Sequence, residues 1–285
     1  MPIDVDRVVG AELPAAPFSW DDDDVILYNL AVGAGDPPTD PDELKYAYEG
    51  DLRVVPGFGT IPPFSAMMGI GSVEGLDINL AQILHGSQEL TIHGPIPTSG
   101  SVTQSGRIVD VFDRGKGALV VAEVVSVLER TGDPLFTNRS SIYVRGEGGF
   151  GGDRGPDPSD APPDRDADSV VETPTLPQQA LLYRMASGDR NPLHADPGFA
   201  AFAGFDRPIL HGLCTFGMVA KTMVESALGG EPERIAGFQA RFSGHVFPGE
   251  TLLTRTWAAE DRLLVETATV ERGATVLSNA AVTTR

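Results

Sequence analysis

Two stretches of this 285-residue chain match each other, and that duplication constrains the fold more than any other feature. The segment VILYNLAVGAGDPPTD, after Asp24, precedes ALLYRMASGDRNPLHA by 155 positions, placing Tyr28 on Tyr183, Ala31 on Ala186, Gly33 on Gly188 and Pro37 on Pro192. A second pair of landmarks agrees, GPIPTSGSV from Gly94 and GHVFPGETL from Gly244, with Pro97 on Pro248 at an offset of 151. The difference of four residues is an ordinary change in a loop. Self-similarity at a fixed spacing means two copies of one fold.

Each landmark leads into β-rich runs. In the first copy these are GRIVDVFDR, ALVVAEVVSVLER and FTNRSSIYVRG; in the second, TLLTRTWAAE, RLLVETATVER and ATVLSNAAVTTR. Ahead of the second set, Ile209, Leu213, Phe216, Met218, Val219, Met223 and Leu228 spread round one long, buried helix from about Ile209 to Leu228, opened by Pro208 and closed by Gly229 and Gly230. The first copy has IPPFSAMMGIGSVEGLDINLAQIL instead, where Pro62, Pro63, Gly69, Gly71 and Gly75 permit no such helix. A helix followed by three long antiparallel strands is the layout of a hotdog, a curled sheet around a central helix. The expectation is an α+β double hotdog whose N-terminal repeat lacks the full long helix. Its parts are residues 1–145, a degenerate repeat; 146–169, a linker rich in Gly, Pro and Asp; and 170–285, the repeat carrying the chemistry. The opening DVDRVVGAEL reads as a strand and turn. GEGGFGG in the linker lacks the Gly-Lys-Ser/Thr and the following helix of a phosphate cradle.

The chemistry concentrates in LYRMASGDRNPLHADPGFAAFAGFDRPILHGLCTFG, Leu182 to Gly217. Gly188 permits unusual backbone angles and Pro192 extends Asn191, so a bent loop aims Asp189, Asn191 and His194 at one place. Asp196 caps a short helix beginning at Pro197 and running through Phe205. A carboxylate and an imidazole touching one water supply a general base and a general acid, Asp189 and His194, while the Asn191 amide orients the water or a side chain. The free amides at the start of the long helix suit developing negative charge. In the first copy the same positions hold Ala34, Asp36 and Thr39, so only the second copy retains the set.

Twenty-one basic against forty acidic residues, a formal charge of −19, argue against nucleic acid or an anionic membrane as partner. No run reaches the roughly 18 apolar residues of a bilayer span. A single cysteine, Cys214, excludes an internal disulfide and indicates a reducing compartment. No dinucleotide or flavin fingerprint is present. Basic residues near the loop are Arg184, Arg190, Arg207, Lys221, Arg234 and Arg241. His85 and His93 read as structural, and His245 as a surface group near the substrate.

YRMASGDRNPLH with PILHGLCTFG resembles the signature of MaoC-like enoyl-CoA hydratase 2 enzymes, including the hydratase part of peroxisomal multifunctional enzyme type 2. LDINLAQILHGSQEL (Leu76 to Leu90) and FPGETL (Phe247 to Leu252) extend the resemblance over most of the chain. It implies reversible hydration of trans-2-enoyl-CoA to the (3R)-3-hydroxyacyl-CoA in β-oxidation, with the Gly212 amide holding the thioester oxygen. It also implies no metal and no cofactor, the coenzyme A thioester being the substrate, and a homodimer. Arg184, Arg190 and Arg207 are the candidates for the coenzyme A phosphates. His211, at the edge of the substrate site, is expected to make a structural hydrogen bond. In hydratase 2 enzymes of the eukaryotic type, the space of the missing helix receives a long or bulky acyl chain, which places Met67, Met68 and Ile70 along a tunnel. The alternatives are a dehydratase acting on hydroxyacyl carriers, a thioesterase on the same fold, or a non-catalytic hotdog subunit. A metal site from Asp189, His194 and His211 lacks dense ligand spacing. VTTR at the end is no peroxisomal address, and a cytoplasmic location is expected.

Overall fold

The computed structural model describes residues 3–76, 83–157 and 159–285. The N-terminal copy consists of α1 (Val5–Val8), β1 (Glu12–Leu13), β2 (Pro17–Trp20), α2 (Asp22–Ala31), α3 (Pro41–Leu44), α4 (Phe64–Met68), β3 (Ile83–Ile92), β4 (Gly100–Asp113), β5 (Gly117–Leu128) and β6 (Pro134–Arg145). The C-terminal copy consists of β7 (Ser169–Pro174), α5 (Gln179–Ser187), α6 (Pro197–Phe202), α7 (Gly212–Ala227), β8 (Ile235–Phe242), β9 (Thr251–Ala258), β10 (Arg262–Thr269) and β11 (Thr275–Thr284). The described strands form one sheet in the order β1-β4-β5-β6-β3-β8-β11-β10-β9-β7, with β2 also on β4. The run β4-β5-β6-β3 is thus repeated in reverse as β8-β11-β10-β9, the arrangement of a double hotdog.

Sequence patterning found β4 to β6 and β9 to β11 but not β3 and β8, the antiparallel pair that joins the copies, with Leu90 opposite Phe238 and Gln88 opposite Ala240. Both carry polar residues facing the interior or the neighbouring strand, so neither shows clean alternation. Gln88 and Asn138 are buried and satisfy each other at 2.8 Å, which removes the cost of placing amides inside.

The acidic run Asp21–Asp24 is a helix start: Asp21 accepts the amides of Asp23 and Asp24, and Asp24 returns a bond to the Asp21 amide. The matched tyrosines of the repeat meet in the interior, Tyr28 of α2 and Tyr183 of α5 having ring centroids 6.2 Å apart. Helix α7 is buried continuously from Cys214 to Val224, and Phe216 stacks on Phe238 of β8 at 4.1 Å. It begins at Gly212 rather than Ile209, because the Leu210 amide donates to the Val246 carbonyl and holds that segment extended. Helix α6 ends at Phe202 rather than Phe205, where Gly204 turns left-handed at φ +89°. The expected N-terminal strand is instead the single turn α1, which lays Val8 onto β4.

Where α7 stands in one copy, the other has a 3-10 turn at Pro56–Thr60, the five-residue α4 and a second 3-10 turn at Gly69–Ser72. The first of these lies directly on α7. A Cβ on Gly57 would come within 2.8 Å of the Gly217 Cα, so only glycine fits. α4 covers a separate apolar cluster on the N-terminal sheet, in which Ile70 is buried and Met67 packs at the edge, whereas Met68 is 60% exposed. Asp77 to Gln82, within the quoted stretch LDINLAQ, lie outside the described residues. Between β6 and β7 the described chain is irregular but tied down. Asp113 accepts the amides of Gly149 and Gly151, and the buried Asp160 carboxylate accepts from Arg262 at 3.0 Å. Among the described residues no helix is long and apolar enough to cross a membrane.

Candidate active site

Helix α5 stops at Gly188, which is left-handed at φ +73° and turns the chain toward the start of α7. The loop beyond it is shaped by its own side chains. Asp189 Oδ1 accepts the Asn191 amide at 2.9 Å, and Asn191 Oδ1 accepts the Leu193 amide at 3.0 Å, capping the 3-10 turn Pro192–His194. The Asn191 oxygen therefore positions the turn that carries His194. Asp196 then caps α6 through the amides of Gly198 and Phe199.

The His194 Nδ1 lies 2.8 Å from the Ile209 carbonyl. A carbonyl oxygen only accepts, so the proton resides on Nδ1 and Nε2 keeps its lone pair. Burial, the largest cause, holds the His194 pKa below its ordinary value; Arg184 acts in the same direction, and the Ile209 carbonyl and Asp189 act against it. Burial and Arg184 thus favour the neutral form of His194. The Ile209 carbonyl is a functional group that sequence reading missed, because it comes from a segment fifteen residues away.

His211 is the N-cap residue of α7, immediately before Gly212, whose amide in the first turn has no intrahelical acceptor. The His211 ring stacks on His194 with centroids 3.7 Å apart and planes 26° from parallel, and it touches Tyr183 at 5.0 Å. Among the described residues neither of its nitrogens meets a partner at ordinary hydrogen-bond geometry, although the Asp189 backbone lies near enough to raise its pKa. One polar atom each from Asp189, His194 and His211 lies within 4.8 Å of the others, a spacing that admits a metal ion.

The basic candidates part company. Arg184, on α5, is close enough to depress both histidines, and its Nε is buried without a partner. Arg190 is exposed against the Met185 sulfur at 3.1 Å. Arg207 lies over the Phe247 ring at 4.7 Å, beside His245, which packs on Phe205 and Phe247. Lys221 is no phosphate ligand: it is buried in α7, 2.8 Å from Glu43 and 2.6 Å from Glu225. Met67, Met68 and Ile70 belong to the separate N-terminal cluster and its edge rather than to this loop. His93 bonds Thr137 at 2.9 Å.

Buried neutral histidines make stability depend on acid. Burial pushes His85 down to about 4, and burial followed by the neighbouring His194 pushes His211 down to about 2. Unfolded, each titrates near 6.5, so the unfolded chain binds protons first. Stability is complete above about pH 6.5 and declines as pH falls, by about 3 kcal/mol at pH 4 from His85 alone. Melting temperatures between pH 7 and 4.5 test this, and a flat profile would refute it.

Fold and loop together define a class: a double hotdog in which the second copy presents an Asp–His pair at the mouth of its central helix. Residues 18–146 match the MFE-2 hydratase 2 N-terminal domain, and residues 158–280 the MaoC like domain. The chain is 46% identical over 281 residues to enoyl-CoA hydratase ChsH3 of Mycobacterium tuberculosis, covering 98% of each. A MaoC-like dehydratase of Phytophthora capsici superposes with TM-score 0.86 at 28% identity over 99% of both chains. The full-length peroxisomal multifunctional enzyme type 2 of Drosophila melanogaster gives TM-score 0.83 at 33% identity, over 96% of this chain and 48% of that one. The chain belongs to the MaoC-like enoyl-CoA hydratase 2 family.

Proposed function

We propose that the chain hydrates trans-2-enoyl-CoA reversibly to (3R)-3-hydroxyacyl-CoA, with Asp189 and His194 as the acid–base pair and the Gly212 amide as the oxyanion donor. The observation that carries this reading is the pairing of a neutral His194, its tautomer set by the Ile209 carbonyl, with the Asp189 carboxylate beside the first amides of α7. One water donates a hydrogen to each of these two acceptors and directs a lone pair at C3 of the enoyl group. As the C3–O bond forms, the C2=C3 π pair moves toward C1, and the thioester oxygen becomes an enolate oxygen stabilised by the amide. The proton lost by the water is held on the pair and delivered to C2, so the pair acts as base and then as acid. Dehydration is the same path reversed.

A long or bulky acyl chain fits the N-terminal copy, where α4 and two 3-10 turns stand in for a sixteen-residue helix. Met67 and Ile70, at the edge and in the interior of the N-terminal cluster, are the side chains of that segment assigned to the path. Arg184 and Arg207, neither in an ion pair among the described residues, are the candidates for the phosphates, with Arg190 on the rim. A homodimer in the cytoplasm completes the reading.

The test is the loss of enoyl-thioester ultraviolet absorbance with trans-2-enoyl-CoAs of short, long and steroid side-chain type. Absorbance should fall without release of free thiol, and fastest for the longer or bulkier acyl groups. Thiol release would indicate a thioesterase, and a preference for the short chain would remove the acyl-path assignment.

A further inference from the structure

Among the described residues His211 makes no hydrogen bond of ordinary geometry, its nearest polar neighbour being the Asp189 backbone, although it is only 2% exposed and both ring nitrogens are buried. A buried polar group without a partner costs free energy that a phenylalanine of similar shape would not. Its position suggests where that cost is recovered. The ring stacks on His194 and precedes the Gly212 amide, and its polar atom lies within 4.8 Å of those of Asp189 and His194. Any three atoms so spaced share a point within about 2.8 Å of each, a hydrogen-bond distance.

We propose that His211 is the third holder of the attacking water, donating a ring N–H to its oxygen while Asp189 and His194 accept its two hydrogens. A water oxygen has two hydrogens and two lone pairs. With both hydrogens taken and one lone pair engaged by His211, a single lone pair remains, and its direction is set. The neutral ring suits this task, because it keeps one N–H to give and adds no positive charge beside His194. As the oxygen loses its proton, the same N–H stabilises the charge that develops on it. This role rests on the hydratase reading and extends it from two side chains to three.

The decisive variants are His211→Phe, which keeps an aromatic plane against His194 and removes the N–H, and His211→Gln, which offers an amide N–H. Wild type and both variants are assayed on one trans-2-enoyl-CoA, and their melting temperatures are measured. His211→Phe is expected to melt no lower than wild type and to lose about tenfold to a hundredfold in kcat, the cost of a misplaced reactant, with KM within about twofold. His211→Gln is expected to recover part of that loss. A His211→Phe enzyme with wild-type kcat overturns the proposal, leaving the ring as a packing surface. Equal losses of kcat and melting temperature in both variants overturn it as well, since the damage is then to the fold. An inert wild type overturns the hydratase reading and this inference with it.

Discussion

Asp189→Asn lowers kcat/KM for enoyl-CoA hydration by about a hundredfold to ten-thousandfold while the protein melts close to wild type. The substitution separates two jobs of one side chain. Asp189 Oδ1 accepts the Asn191 amide at 2.9 Å and so shapes the loop, a bond an asparagine oxygen retains. What asparagine lacks is the negative charge, and with it the capacity to hold the water's proton. Asp189→Ala removes both and should lose at least as much activity. His194→Ala falls in the same range, and the double variant loses little more than either single one, because the two groups move one proton as a unit. Steady-state rates of absorbance loss, with circular dichroism to verify the fold, measure this. An Asp189→Asn enzyme within tenfold of wild type would take the carboxylate out of the chemistry.

Lys221→Met destabilises the protein by about 3 kcal/mol, the low end for breaking a buried ion pair. The Lys221 side chain is 9% exposed and reaches Glu43 and Glu225, whose side chains are 12% and 37% exposed. Glu43 also accepts the Gly35 amide at 2.8 Å, so the lysine of α7 anchors the loop of the N-terminal copy that corresponds to the catalytic one. Without the cation two carboxylates face each other in a partly dry site. The Glu225 pKa is already raised, burial being the main cause, and the Glu43 pKa is lowered, with burial opposed by the bond to Lys221. Urea or thermal unfolding should show a drop of roughly 6–12 °C in a chain of this size. Restoring neutrality with Glu43→Gln and Glu225→Gln in the Lys221→Met background should recover most of it. A loss below 1 kcal/mol would mean that water screens the cluster.

The parts of the site legible in the chain are those whose geometry is local. Gly188, Pro192, Asp196 and Pro197 act on their immediate neighbours, so the bend and the start of α6 follow from residue type alone. The same holds for β5, whose run of valines with apolar neighbours reads as a strand from residue type alone. The place of Lys221, one of the basic residues near the loop, was not legible for the opposite reason. Glu225 four residues on is an ordinary helix partner, and the second carboxylate that lets the lysine be buried, Glu43, comes from 178 positions away. The stack of His211 on His194 depends on two chain segments crossing, which no spacing encodes.

By itself the sequence determined that two copies of one fold exist, that the second alone keeps Asp189, Asn191 and His194, and that the first has no room for a long helix. These are matters of residue type at short range, where backbone angles and hydrogen-bonding capacity are properties of the residues themselves. Tertiary structure alone decided the β3–β8 seam that makes one sheet of two, the Gly57–Gly217 contact that lays the N-terminal copy on α7, and the Ile209 carbonyl that sets the tautomer of His194. Each of these pairs groups distant in the chain, and the energy that selects them, packing without voids and satisfaction of buried polar atoms, is a property of the assembled interior.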